Sequence, residues 1–179
     1  MRQGDIIDIA LRDISFFQFP EFHKMRKLEP KADNGLTSGT WDTIKDIHFF
    51  WSARYEDGRH QKTGMVPLEN YAFYTSLCAH FHNGLPWEET PWLQWIREKR
   101  PSRYKTEEAI QIRLTFLENL YQACISGNYN MSRDIELPLV NIGRGGRIAI
   151  EDGRHRICIC KAAGVDHIPV KINAVMPAS

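Results

Sequence analysis

The pentapeptide EDGRH occurs twice in the chain, at 56–60 and at 151–155. Its carboxylates, glycine, guanidinium and imidazole are the groups that hold metals, seat phosphates and move protons. The surroundings of the two copies differ. The second follows a strand-like run, Arg147 to Glu151, and leads into an apolar helical run from about His155. The first continues into Gln61-Lys62-Thr63-Gly64, which begins no element and reads as a surface turn.

A helix N-terminus presents unpaired backbone amides and the positive end of the helix dipole, so an oxyanion placed there meets several donors at once. Gly153 lets the backbone come close in a conformation that other residues avoid. Arg154 and Arg156 add planar forks suited to phosphate, and His155 adds a donor whose charge can change near neutral pH. Strand, Asp-Gly, three basic side chains and helix together describe a phosphate cradle. The competing reading is a plain Asp-Gly turn with solvated basic residues.

Phosphoryl chemistry at such a cradle also needs carboxylates, to hold a metal or to orient or deprotonate the acceptor. The candidates are Asp152 and Glu151 beside the loop, and Asp42, which would have to fold back over it. Each has a structural alternative: Asp152 a turn or cap, Glu151 a solvent-facing strand position, Asp42 a helix N-cap. Asp152 is also the candidate metal ligand. Arg113 interrupts the apolar face of a long helix, and a buried arginine there needs a carboxylate or a ligand phosphate.

The elements that must position these groups are legible in outline. Ile6, Ile7, Ala10, Leu11 and Ile14 are spaced for a first helix, followed by an extended segment FFQFPEFHKM and a loop over 31–39. A hairpin or irregular excursion is expected over 47–66. Helices are expected over 68–82 with Asn83-Gly84 as stop, after Thr90-Pro91, and over 106–127 from Thr106 to Gly127. Then come two β runs split by Arg144-Gly145-Gly146, a helix ending at Gly164, and a last strand HIPVKI.

Composition narrows the function. Twenty-three basic against 22 acidic residues give no global field to attract nucleic acid or an anionic membrane, so any anion site is local. No run approaches the ~20 apolar residues of a membrane span, and the charged start is unlike a signal peptide, so a cytoplasmic protein is expected. Cys78, Cys124, Cys158 and Cys160 lack zinc-site spacing and read as buried free thiols. His80 and His82 diverge by about 200° on a helix, which speaks against a histidine-held metal. Trp41, Trp87, Trp92 and Trp95 read as core or groove lining.

The block VNIGRGGRIAIEDGRHRICICKAAGVDHIPVKI at 140–172 resembles the signature of the ParB/sulfiredoxin superfamily: strand, Gly-x-(His/Arg)-Arg loop, short helix ending in Ala-Gly, and an Ile-Pro-Val strand. FLENLYQACISGNYN is similar to the helix preceding those strands, so the resemblance covers about residues 103–175. SGTWD, FHNGLPWEET and Arg113 resemble a group of uncharacterised ParB-like proteins. The resemblance implies a nucleoside triphosphate with its phosphates on this loop, Gly153, His155 and Arg156 matching the phosphate-binding positions. Arg154 stands where sulfiredoxins have their catalytic cysteine, so the reductase chemistry of that branch is not expected. No helix-turn-helix follows Pro169, so sequence-specific DNA binding is not expected either.

The expectation is therefore an α/β (α+β) protein: a small mixed sheet of the ParB/sulfiredoxin kind over 66–179, with a mainly helical or irregular extension over 1–65 packed on it. Its expected function is a nucleotide-dependent phosphotransferase or nucleotide hydrolase, ATP and Mg²⁺ favoured, with a small-molecule or polymer acceptor and no membrane partner. Gly153, Arg154, His155, Arg156 and Arg113 would hold phosphates. The alternatives are a nucleotide-sensing binding module and, last, a nuclease.

Overall fold

The computed structural model describes residues 1–19, 42, 64–129 and 137–176. Within them the chain runs β1 (Ile6–Ala10), β2 (Ile14–Phe19), β3 (Gly64–Pro67), α1 (Ala72–Asn83), α2 (Pro91–Lys99), α3 (Glu107–Ile125), β4 (Leu139–Ile142), β5 (Ile148–Asp152), α4 (Arg154–Ala162) and β6 (His167–Val175). The strands form one mixed sheet in the order β1-β6-β4-β5-β2-β3, giving an α+β fold. Neighbours are antiparallel except for the β6–β4 and β5–β2 pairs.

The opening residues correct one expectation. Helical spacing predicts a helix over 6–14, but these residues form β1, a 3-10 turn over Leu11–Asp13, and the start of β2. Ile6, Ile7, Ile9 and Ile14 are β-branched and suit a pleated surface, and β6 supplies a partner along the whole of β1, from Ile6 opposite Lys171 to Ala10 opposite His167. Residues 6–10 and 14–19 are thus strands within the sheet. The loop expected over 31–39, most of the excursion over 47–66, Trp41 and the 56–60 copy of EDGRH lie outside the described residues.

The remaining elements follow their local signals. Thr90 and Thr106 accept hydrogen bonds from the amides of Leu93 and Ala109, capping α2 and α3, and Gly84 ends α1 in the left-handed conformation. Arg144-Gly145-Gly146 turns β4 into antiparallel β5. Pro169 sits inside β6 without cost to the ladder. The Lys171 amide points toward β4 and bonds Pro138, so the nitrogen two residues earlier faces the same side, ahead of the first β4 pairing at Leu139.

The pleat separates two faces. Phe17, Val66, Val140, Ile150, Ile168 and Val170 join the helices in the main core, while Met65, Ala149 and Ala174 form a smaller cluster with Met176. On the helical face α4 packs against both α1 and α3. Ile157, Cys158, Ile159 and Cys160 of α4 are fully buried, as are Phe73 and Leu77 of α1 and Leu117 of α3. Such burial contributes roughly 1.5–3 kcal/mol for each large side chain, and it fixes the direction in which the α4 N-terminus points.

That N-terminus depends on Gly153. Its φ is +75°, and a Cβ there would lie 2.9 Å from the Pro138 Cβ and 3.1 Å from the Pro138 Cα. Gly145 has a similar φ of +70° but open space around it. We expect Gly145→Ala to cost about 1–2 kcal/mol, the left-handed penalty alone. Gly153→Ala should cost measurably more in urea unfolding, because Pro138 must also move. Equal losses would show that the contact with Pro138 does not constrain the turn.

Candidate anion-binding site

Around the start of α4 the fold gathers cations from three places. Arg154 and Arg156 come from the first turn of α4, Arg113 from the middle of α3, and Arg103 from the 3-10 turn Ser102–Tyr104 that precedes α3. With Phe116, Asp152, Gly153 and His155 they line a cleft of about 200 Å³. Among the described lining residues four guanidinium groups and one carboxylate border the cleft, in a chain whose net charge is +1. Gly153 is the N-cap of α4 and brings no side-chain acceptor to the first-turn amides.

Arg113 answers the question its position raises. Its Nε is buried with no hydrogen-bond partner, and its guanidinium lies 5.0 Å above the ring of Phe116, one turn along α3. A cation–π contact stabilises the charge modestly and leaves the Nε donor unmet. No carboxylate forms an ion pair with it among the described residues.

His155 is half-buried, with its ring edge-on to Phe73 at 4.5 Å between centroids. Burial first, and then the charges of Arg113, Arg154 and Arg103, hold the imidazole well below the ordinary histidine range. The sequence suggests a charge change near neutrality; instead burial, and then the arginines around His155, favour the neutral ring.

The carboxylates do not assemble as expected. Of the expected carboxylates Asp152 lines the cleft, exposed at the end of β5, and it is the one carboxylate there among the described residues. Glu151 is not solvent-facing: it points to the other sheet face, 2% exposed, and accepts a hydrogen bond from Asn141 Nδ2 at 3.0 Å. Asp42 is buried at the opposite end of β5, beside the β4–β5 turn. It accepts from the Arg144 amide at 2.7 Å and from Arg144 Nε at 2.9 Å, and its Cβ lies 2.8 Å from where a Cβ on Gly143 would be. Burial raises the Asp42 carboxyl, but the bonds and charge of Arg144 outweigh it and hold it below the usual carboxylate value. Five strand residues at about 3.3 Å each separate that turn from Gly153. Asp42 therefore serves the hairpin, not the cleft.

Arg103 and Phe116 belong to the cleft without having been singled out in the sequence. Phe116 was within reach, because residues three apart on a helix are neighbours, and it sits at that spacing from Arg113. Arg103 lies in a short turn with no periodicity to reveal its direction. A larger hollow of about 430 Å³, bordered by Leu11, Tyr74, Lys161 and Asp166, contains none of the expected site residues. His80 is engaged otherwise, between the Leu85 carbonyl and Glu118 at 2.7 Å each, and no group of three metal-ligating side chains occurs among the described residues.

The depressed His155 value has a measurable consequence. As pH falls, the unfolded chain takes up this proton before the folded one, so the contribution to stability is whole above about pH 6.5 and declines below it toward the folded-state value. Stability measured by urea unfolding from about pH 7.5 to 5 should fall more steeply in the wild type than in His155→Asn. Parallel profiles would show that the imidazole is not held neutral.

Scanned against family models, the chain matches none, and it matches no curated protein and no solved structure.

Proposed function

We propose that the chain binds a nucleoside polyphosphate, ATP favoured, with its phosphates in the Gly153–Arg156 cleft, and that it transfers or hydrolyses the terminal phosphoryl group. The observation that carries this reading is the convergence of four arginines and one helix N-terminus on a single hollow, with the buried Nε of Arg113 unpartnered. Planar forks and backbone amides match phosphate oxygens in geometry as well as in charge. The resemblance of the 140–172 block to the ParB/sulfiredoxin loop supports the same ligand.

Size refines the picture. At about 200 Å³ the cleft is smaller than the ~300–1,000 Å³ typical of pockets that enclose a whole small molecule. It suits the phosphate chain, with the nucleoside extending past the 44%-exposed Phe116. In this arrangement Arg113, Arg154, Arg156 and Arg103 neutralise the phosphates, and neutral His155 contributes a hydrogen bond. Asp152 is suited to orienting or deprotonating an acceptor, or to sharing Mg²⁺ with the phosphates. One carboxylate fits Mg²⁺, which commonly takes one or two together with substrate oxygens and water. Bound there, the ion would supply further charge neutralisation.

A nucleotide-sensing module without turnover is the second reading, favoured by the single carboxylate among the described cleft residues. A nuclease ranks last, because Glu151 faces away and leaves Asp152 without a companion carboxylate among the described cleft residues.

Two measurements separate these readings. In a thermal-shift screen, inorganic tripolyphosphate and nucleoside triphosphates, with and without Mg²⁺, should raise the melting temperature of the wild type by mass action. Arg113→Met and Arg156→Ala should each weaken affinity about tenfold or more, the scale of losing a charge-assisted hydrogen bond. Equal responses of wild type and variants would place the ligand elsewhere. Release of ADP or inorganic phosphate from bound ATP supports the enzyme, with Asp152→Asn expected to abolish turnover while retaining binding. Saturable binding without product supports the sensor.

A further inference from the structure

Two of the buried thiols lie against each other. Cys124, in the last turns of α3, and Cys160, in α4, have their sulfurs 3.6 Å apart, and neither is in a disulfide. A disulfide bond is about 2.05 Å long, so the sulfurs need to close by about 1.5 Å, a distance within reach of small side-chain rotations on two helices already in contact. Cys158 is two residues from Cys160, about 200° around the helix. It is close enough to Cys78 and Tyr74 for their charges to influence one another.

The two thiols are not equivalent. Cys124 is 6% exposed and Cys160 is 0% exposed, so a small oxidant meets Cys124 first. The two sulfurs share a hydrogen bond in which either thiol can be the donor; that bond draws the Cys124 value down, while the bond and burial push Cys160 up. The thiolate is the form that attacks peroxides.

We propose that Cys124 and Cys160 are a reversible redox pair that a hydroperoxide converts to a disulfide. The Cys124 thiolate attacks the O–O bond, one oxygen bonds to sulfur as sulfenic acid, and the other leaves as hydroxide or alkoxide and takes up a proton. Cys160 sulfur then attacks the sulfenic sulfur, the S–O bond breaks, and the departing hydroxide accepts the Cys160 proton as water. With hydrogen peroxide, two thiols lose two electrons and two protons in all, and the peroxide becomes two waters. Because α3 carries Arg113 and α4 carries Arg154 and Arg156, the bond ties the two walls of the arginine cleft together. The pair itself stands independently of what the cleft binds.

The test uses the full chain, reduced, treated with hydrogen peroxide, quenched in acid and alkylated under denaturing conditions. Of the four cysteines, two should escape alkylation, and dithiothreitol should restore them. Trypsin should yield a linked pair of peptides, 114–133 and 157–161. The second of these contains both Cys158 and Cys160, so the link must persist in Cys158→Ser and vanish in Cys160→Ser and Cys124→Ser. Four alkylated thiols after peroxide, a link made through Cys158, or oxygen added to Cys124 without a cross-link would each overturn the proposal. If a serine variant at 124 or 160 fails to fold, the wild type and Cys158→Ser decide it alone.

Discussion

Mutual repulsion among Arg103, Arg113, Arg154 and Arg156 is the constraint around which the helical side of the molecule is organised. Two unit charges 6 Å apart repel by about 3 kcal/mol at an effective dielectric constant near 20, so four guanidinium groups on one hollow strain the fold unless something offsets them. Part of the relief is visible. Arg113 lies over Phe116, Asp152 supplies one negative charge, and His155 stays uncharged rather than adding a fifth cation. Leu114 and Leu117 beside Arg113, and Ile157 to Cys160 beyond Arg156, also anchor the arginine-bearing segments in the core. A polyanion bound as proposed would turn the same repulsion into attraction.

The placement of α4 makes this concentration possible. Packed against α1 on one side and α3 on the other, it cannot rotate to spread its first-turn arginines into solvent. Phe73 of α1 meets the His155 ring edge-on and Trp92 of α2 at 5.0 Å, so the loop is braced from the helix layer as well as from the sheet. Tyr71 and Phe17 continue that aromatic chain to β2.

Local chemistry made the last third of the chain readable, and its absence made residues 6–14 misleading. The β4–β5 turn, Gly153, α4 and β6 each carry a turn or cap signal, and each was found where its signal lies. Residues 6–14 satisfy both the helical and the strand period, and what decides is a partner, β6, that begins more than 150 residues later. Asp42 and Arg144 are 102 residues apart, and no spacing rule connects them. Glu151 failed for a different reason: alternation in β5 set it on the face away from the helices, but could not tell that this face is buried too. Arg113 was legible because a cation on an apolar helix face breaks a pattern, and the broken pattern is itself a signal.

The second sheet face explains how the cleft keeps its shape. Glu151 on β5 accepts a hydrogen bond from Asn141 on β4, and Asn141 Oδ1 accepts one from Asn173 on β6 at 2.8 Å. Buried polar groups tolerate no slip, because a shift in register leaves them unmatched in a low-dielectric interior. The pairing they enforce, with a bulge between Leu139 and Val140, puts Leu139 opposite Asp152 and hence Pro138 against Gly153. A two-residue slip would preserve the inward and outward pattern of apolar side chains and so cost the hydrophobic core little. It would break the amide–carboxylate row and carry Pro138 away from the turn that opens α4. The buried carboxylate that does no chemistry in the cleft therefore holds in register the strand from which the cleft begins.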